Sequence, residues 1–197
     1  MYEMALEQNM VDQHIEDTHL LKLVSKGDED ALTALYERYG GQLYAYALRI
    51  LGDRAAAEDV LQESLVVIWR RAKTFRGEGR VKAWLFGIVH NKAMRTFREK
   101  ENLPLDEIPG EPESSEQRPD ERLISNERRK ALRDGVEQLS VEHRTVLELV
   151  FYQGMSLKET AGVCQVPVGT VKSRLNYAKA ALKGALSRGG AALEDLR

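Results

Sequence analysis

Residues 155–186 read MSLKETAGVCQVPVGTVKSRLNYAKAALKGAL, and this stretch decides the fold of the second half of the chain. Ser156 and Glu159 have the spacing of a capping box, which predicts a short helix that begins at Ser156. The segment 165–167, QVP, predicts a turn, and a second helix is expected from about Val168. A short helix, a tight turn and a second helix make a helix-turn-helix motif.

The two faces of this second helix differ in character. Three- and four-residue steps join an apolar stripe: Val171, Leu175, Ala178 and Leu182. One position further on lies a polar row: Lys172, Asn176, Lys179 and Lys183. Residues 168–188 contain five cations and no acid. Such a face is either merely solvated or binds DNA, and Ser173 and Asn176 favour DNA because they could read base edges among cations that grip phosphate.

Composition describes a globular chain with few special features. The 197 residues have a net charge of −2, and 43% are apolar, which suits one medium domain or two small ones. No apolar run approaches the roughly 20 residues of a membrane span, and the polar, acidic start is unlike a secretory signal. The single cysteine, Cys164, excludes an intramolecular disulfide and is expected in a core. We therefore expect a cytoplasmic protein without membrane insertion.

The N-terminal segment carries little pattern. Residues 1–17 show no steady period and are expected to be a disordered extension. Glu16 and His19 have the Glu-x-x-His spacing of di-iron bundles, but those sites need two such motifs. We interpret the segment as a helix start, with Asp17 or Thr18 as the cap.

Three longer helices are predicted within residues 18–100. Asp28 caps the first, Gly52 ends it, and Asp53 caps the second, which extends to about residue 73. The second helix has an apolar stripe of Leu61, Leu65, Ile68, Trp69 and Ala72. It also has an acidic patch of Glu58, Asp59, Gln62 and Glu63. By itself the patch is best interpreted as a solvated face, and carboxylates for catalysis or metal binding are disfavoured because no His or Cys joins them.

A glycine-containing loop at 74–80, TFRGEGR, precedes the third helix, residues 81–100. The edge of that helix carries a polar row of Asn91, Lys92, Arg95 and Arg98. The loop offers Phe75, which either stacks on an unstacked base or fills the core, and the neighbouring cations suit a single-strand backbone.

Residues 101–121 contain four of the five prolines and eight acids against one arginine, which predicts a flexible linker. Beyond it, a helix is expected over 122–139, and Ser140 caps another whose core face is Val146, Leu147, Val150 and Phe151. The fold class is therefore all-α. Two small helical domains, at 18–100 and 122–188, are joined by an acidic, Pro-rich linker and followed by a tail at 189–197.

Four segments in this order resemble bacterial RNA polymerase sigma factors of the extracytoplasmic-function (ECF) subfamily. They are AEDVLQESLVVIWRRA at 57–72, FRGEGRVKAWLFGIVHNKAMRTFR at 75–98, LSVEHRTVLELVFYQGMSLKETA at 139–161 and VPVGTVKSRLNYAKAAL at 166–182. The resemblance implies that residues 18–100 bind core polymerase and melt and read the −10 element, and that residues 122–188 read the −35 element as duplex. The partners implied are promoter DNA, the clamp helices of the largest polymerase subunit, the flap of the second largest, and an anti-sigma factor.

The resemblance also implies roles for individual residues. Core polymerase would bind Glu58, Asp59, Gln62 and Glu63. The melted −10 strand would meet Phe75, Arg76, Gly77, Arg80, Asn91, Lys92, Arg95 and Arg98. The −35 duplex would meet Thr170, Lys172, Ser173, Arg174, Asn176, Tyr177 and Lys179. The acidic linker would pass near the polymerase active centre.

Two positions depart from the family pattern, and two other functions compete with the one that it implies. Ser140 stands where the family often has proline, and Gln165 stands where the turn usually has glycine, so a non-glycine residue at positive φ would cost roughly 1 kcal/mol. A free-standing helix-turn-helix regulator would need a sensor domain upstream, and residues 1–100 predict only helices. An enzyme is disfavoured because the four histidines are scattered, so no catalytic residue, cofactor or metal is expected.

Overall fold

The computed structural model describes residues 14–101 and 132–188, and all regular secondary structure in these two stretches is helical. The all-α prediction is thereby confirmed. The described chain divides into two compact units, residues 14–101 with 162–165 and residues 132–161 with 166–188. Most of the predicted linker, the part of the next predicted helix before residue 132 and the tail lie outside the described residues. None of the described helices has the length and apolar character needed to cross a membrane.

The first unit is built from four helices. They are α1 (14–24), α2 (Glu29–Leu51), α3 (Arg54–Arg71) and α4 (Val81–Glu101), with a 3-10 turn at Ala72–Thr74. Asp28 and Asp53 cap α2 and α3 as predicted, because each carboxylate accepts a backbone N–H three residues on, at 2.9 and 3.2 Å. Gly52 takes a left-handed φ of 66° between them. Helices α2, α3 and α4 pack on one another.

The predicted start of the first helix is wrong. Residues 14–17 already belong to α1, so neither Asp17 nor Thr18 caps it, and only residues 1–13 of the expected extension lie outside the description. Asp17 is buried instead, where Arg38 Nη1 donates to its carboxylate at 2.5 Å and the Tyr39 hydroxyl donates to its other oxygen. A charge with two partners from α2 can be buried where an isolated one could not.

The centre of the first unit is aromatic. Tyr46 is fully buried, packs edge-to-face on Phe86 at 5.2 Å between ring centroids, and hydrogen-bonds the Nδ1 atom of His90 at 2.8 Å. In the sequence, His90 is one of four scattered histidines. Burial beside a tyrosine hydroxyl gives it a structural partner between α2 and α4.

The second stretch contains four more helices and one wide turn. They are α5 (132–137), α6 (Val141–Leu147), a π-helical turn at Glu148–Tyr152, α7 (Leu157–Cys164) and α8 (Val168–Arg188). Ser156 and Glu159 form the predicted capping box, with Ser156 N–H donating to the carboxylate at 2.9 Å and Glu159 N–H donating to the serine Oγ at 3.2 Å. Val171, Leu175 and Ala178 of α8 are buried as predicted, and α8 packs on α6.

The predicted core face of α6 is only half right. Val146 and Leu147 are buried, but Phe151 is 57% exposed and Leu149 takes the inward position. From residue 148 the chain forms a wider turn, in which Gln153 N–H donates to the carbonyl of Glu148 five residues earlier at 3.0 Å. The wider turn rotates the later side chains out of the 3.6-residue register on which the prediction depended.

Three smaller expectations also meet the structure. Ser140 stands at the N-cap of α6, but its hydroxyl makes no cap hydrogen bond and contacts Glu142 and His143 instead. Cys164 is partly rather than fully buried. Gln165 has a φ of 54°, and among the described residues it is the one non-glycine position at positive φ. The turn therefore carries the strain expected for a side chain in a left-handed conformation.

Candidate nucleic-acid and protein interfaces

The acidic patch lies on one exposed face of α3. Its members share that exposure and repeat over two turns: Glu58, Asp59, Gln62 and Glu63. Glu63 is not independent of the rest of the unit, because Lys92 Nζ on α4 donates to its carboxylate at 2.6 Å. That hydrogen bond, followed by the lysine charge, lowers the pKa of the Glu63 carboxyl. The remaining carboxylates and the amide can meet a basic or amide-bearing protein surface.

A groove of about 500 Å³ runs beside this patch between α2 and α3. Glu58 and Gln62 form its polar wall, and Tyr36 and Tyr44 face them from α2. Tyr36 belongs to the apolar series of α2 by its spacing, yet it is 47% exposed. Helical spacing does not predict that these two tyrosines border a surface groove, because it does not show which residues a neighbouring helix buries.

The loop before α4 presents fewer groups than the sequence suggested. Gly77 and Gly79 have φ of 75° and 82°, conformations that favour glycine. The Phe75 ring is partly buried and meets Trp84 edge-to-face at 5.8 Å. Phe75 therefore packs internally in this structure, while Arg76 is exposed and Arg80 is partly buried.

Two cations of the row along α4 are paired with carboxylates. Asn91, Arg95 and Arg98 are exposed, and Lys92 is partly buried. Arg95 Nε donates to Glu99 one turn on at 2.8 Å, and Lys92 bonds to Glu63. The structure thus joins a residue predicted for the −10 strand to one predicted for core polymerase.

Helix α8 presents its polar residues to solvent. Lys172, Ser173, Asn176, Tyr177 and Lys179 are exposed, and Thr170 and Arg174 are partly buried. The Ser173 hydroxyl donates to the Thr170 carbonyl at 3.0 Å, so its oxygen remains able to accept a hydrogen bond from another group. The seven residues predicted for the −35 duplex share one helix, and three of them are cations.

Two contacts on α8 were not foreseen from the sequence. The Tyr177 ring stacks on His143 of α6 at 4.4 Å between centroids. The Lys179 ammonium lies 5.4 Å from the centroid of the Phe151 ring. The second contact depends on the π-helical turn that exposes Phe151, and no pattern in the sequence marks that turn.

A helix-turn-helix with a cationic outer face is typical of DNA-binding proteins, and the first unit presents a separate acidic face on α3. Comparison with known proteins narrows this class. A family model described as Sigma-70 region 2 matches residues 35–102, and one described as Sigma-70, region 4 matches residues 129–182.

Similar proteins agree with these matches. The ECF RNA polymerase sigma factor SigL of Mycobacterium tuberculosis is 37% identical over 156 residues, which cover 77% of this chain and 86% of SigL. The sigma factor RpoE, solved in complex with the anti-sigma factor NepR from Bartonella quintana, gives a TM-score of 0.62 at 26% identity over 79% of this chain and 96% of that one. CnrH, in complex with the cytosolic domain of CnrY, shares the fold, with a TM-score of 0.64 at 24% identity over 88% and 98% of the two chains.

The chain belongs to the ECF family of RNA polymerase sigma factors. It is accordingly a promoter-directing subunit of RNA polymerase, and the proteins of this family are initiation factors rather than enzymes.

Proposed function

We propose that the chain binds core RNA polymerase through α3, reads the −10 element as melted strand along α4, and reads the −35 element as duplex through α8. The observation that carries this proposal is the separation of charge between surfaces. Exposed acids cluster on α3, whereas α8 from Val168 to Arg188 has five cations and no acid. A protein partner and a DNA partner each find a surface of suitable sign.

For core polymerase, the contact residues are Glu58, Asp59, Gln62 and Glu63. Their common exposure on one face of α3 supports this role, and the clamp helices of the largest subunit are the partner that the resemblance implies. The groove beside them, between Tyr36 and Gln62, offers apolar area to a side chain of that partner. The flap of the second largest subunit is the proposed partner of the second unit.

For the melted strand, Arg76, Arg80, Asn91, Lys92, Arg95 and Arg98 contribute positive charge and hydrogen-bond donors. Gly77 allows the backbone of the loop to approach a base closely, since its φ of 75° suits glycine. Phe75 acts in this proposal by moving off Trp84 or by presenting its edge, and stacking on an unstacked base offsets part of the cost of flipping.

For the duplex, Lys172, Ser173, Asn176 and Tyr177 meet base edges in the major groove, and Thr170, Arg174 and Lys179 meet phosphates. Exposure of the first four residues on α8 supports the division. Polymerase performs the chemistry of transcription, so the chain itself carries no catalytic step and no cofactor.

An anti-sigma factor is a further proposed partner. The solved complexes of RpoE with NepR and of CnrH with CnrY show that similar proteins bind such regulators or partner domains. Because the polymerase-binding face and the α2–α3 groove are exposed in the described residues, a regulator that covers them would compete with core polymerase. A free-standing regulator is the less favoured function, since it leaves the region 2 match at 35–102 without a role.

Runoff transcription tests the whole proposal. Purified core polymerase is supplied with fragmented genomic DNA from the source organism, with and without this protein, and transcript ends are sequenced. We expect discrete start sites that require the protein and share two upstream elements. DNA binding without core polymerase, and no new start sites with it, would instead establish a free-standing regulator.

A further inference from the structure

One aromatic contact joins the helix before the helix-turn-helix to the proposed recognition helix. The rings of His143 on α6 and Tyr177 on α8 stack with centroids 4.4 Å apart and planes 28° apart. Helices α6 and α8 pack on each other, so both backbones beneath the stack are held in place. Tyr177 is nevertheless 61% exposed, so one edge of its ring is available to a ligand while one face is covered.

A chain of hydrogen bonds fixes the histidine ring. The Ser140 hydroxyl has a single proton, which it donates to the Glu142 carboxylate at 2.7 Å. It must therefore accept from His143 Nδ1–H at 2.8 Å, which places a ring proton on Nδ1. The same serine hydrogen bond lowers the pKa of Glu142 and keeps it an ionised acceptor. The Ser140 hydroxyl thus orients the His143 ring and makes no cap hydrogen bond to α6.

We propose that His143 is a positioning residue for −35 recognition, which holds the Tyr177 ring in the single orientation that reads one base pair. This inference rests on the proposed function of Tyr177 at the −35 element. His143 itself contacts no DNA base in this arrangement. Its role is to remove the alternative orientations of an exposed tyrosine, whose ring would otherwise sweep over neighbouring positions of the groove.

The physical reason is preorganisation of a reading group. An exposed side chain loses rotamer entropy when DNA immobilises it, and a side chain that points in several directions accepts several bases. Aromatic stacking favours one orientation by an amount that corresponds to a roughly two- to tenfold population ratio. Loss of the stack should therefore lower discrimination at the base pair that Tyr177 reads, while phosphate contacts elsewhere on α8 continue to hold the duplex.

The test uses the full chain with core polymerase and a promoter library in which the −35 element is randomised. Transcript yield from each library member gives the base preference at every position. We expect Tyr177→Ala to flatten the preference at one position, and His143→Ala to flatten the same position by roughly two- to tenfold. His143→Phe keeps an aromatic face for stacking and should restore most of the preference. The double variant His143→Ala with Tyr177→Ala should be no worse than Tyr177→Ala alone.

Several results would overturn the inference. A change with Tyr177→Ala but none with His143→Ala would show that the stack does not matter to reading. If neither variant altered any base preference, the proposed role of Tyr177 would fail first, and the inference with it. A purely structural role would make His143→Ala reduce yield equally from all promoters and lower the melting temperature, without restoration of base preference by phenylalanine. Glu137→Ala, an exposed change on α5, is the matched control and should leave every preference intact.

Discussion

The two charged surfaces are held in place by different means. Along α3 and α4, cations bond to carboxylates of the same unit, as in Lys92 with Glu63 and Arg95 with Glu99. On α8 no acid is present, and two of its side chains contact rings from the preceding segment, His143 under Tyr177 and Phe151 under Lys179.

This difference suggests how each surface meets nucleic acid. A cation paired with a carboxylate has part of its charge neutralised, so the α4 row is a weaker attractor of phosphate than its count of arginines and lysines suggests. An aromatic contact orients a side chain without neutralising it, so Lys179 keeps its positive charge. Four variants test the ion pairs of the first unit and the charge of α8.

The largest effect is expected from the buried carboxylate of the first unit. Asp17→Ala leaves the buried Tyr39 hydroxyl without its acceptor and Arg38 with only the exposed Glu16, which should reduce the free energy of unfolding by about 3 kcal/mol. Both tryptophans, at 69 and 84, lie in this unit, so their fluorescence in a urea titration reports on it.

Glu16→Ala is the matched control for that variant. It removes an exposed acceptor from the same Arg38, 3.1 Å away and 65% exposed, and should cost less than about 1 kcal/mol. Equal losses from the two variants would mean that the buried position of Asp17 adds nothing to the free energy of unfolding.

The second experiment reverses one charge on the acid-free surface. Lys172→Glu places a carboxylate where the −35 duplex is proposed to lie, and should reduce transcription roughly 10- to 100-fold through repulsion and loss of a base contact. Runoff yield at several salt concentrations measures it, and Lys26→Glu, the same change on an exposed turn of the first unit, should have little effect. A comparable loss with Lys26→Glu would show that net charge alone matters.

The third experiment measures how the stabilisation from Asp53, the N-cap of α3, changes at low pH. Lys100, then the Ala56 N–H, lowers the pKa of Asp53 below its ordinary value of 3.8. The folded chain therefore binds fewer protons than the unfolded chain, so this stabilisation is complete above about pH 5 and is lost as the pH falls through the depressed pKa.

Asn at position 53 keeps a cap but does not titrate. We expect the difference in unfolding free energy between the wild type and Asp53→Asn to shrink by up to about 1 kcal/mol between pH 5 and pH 3, as read by tryptophan fluorescence. A difference that stayed constant over this range would contradict the assigned role of the carboxylate.

The smallest effect is expected from the ion pair that joins the α3 patch to the α4 row. Glu63→Gln releases Lys92 and should increase the affinity of the free protein for a single-stranded oligonucleotide roughly two- to threefold at low salt, with the gain fading as salt screens it. Fluorescence anisotropy measures this directly. Glu58→Gln removes the same charge from the same helix without releasing Lys92, and an equal gain there would assign the effect to net charge.

Much of the fold was predictable because local signals mark it. Asp28, Asp53 and the Ser156–Glu159 pair have short-range hydrogen bonds to their own helix ends, which any chain with that local sequence can form. The buried stripe of α8 follows from helical spacing in the same way. The exposure of the four acidic-patch residues on α3 was also predictable, since they are polar and are not members of its apolar stripe.

Other features depended on partners distant in sequence. Asp17 resembles a cap, but Arg38 and Tyr39, more than twenty residues away, make its burial favourable. Tyr46 with His90 and Glu63 with Lys92 likewise join different helices across 44 and 29 residues. Such pairs require the packed arrangement of α2, α3 and α4, because a residue type does not specify which distant atom satisfies it.

The amino-acid sequence by itself determined the helices, most of their ends, the acid-free face of α8 and the membership of a sigma factor family, because each depends on local pattern. Only the tertiary structure decided which polar groups neutralise each other and which rings orient the side chains on α8. The π-helical turn at 148–152 illustrates the reason. It exposes Phe151 to Lys179 and buries Leu149, and an expectation of 3.6 residues per turn cannot place a wider turn.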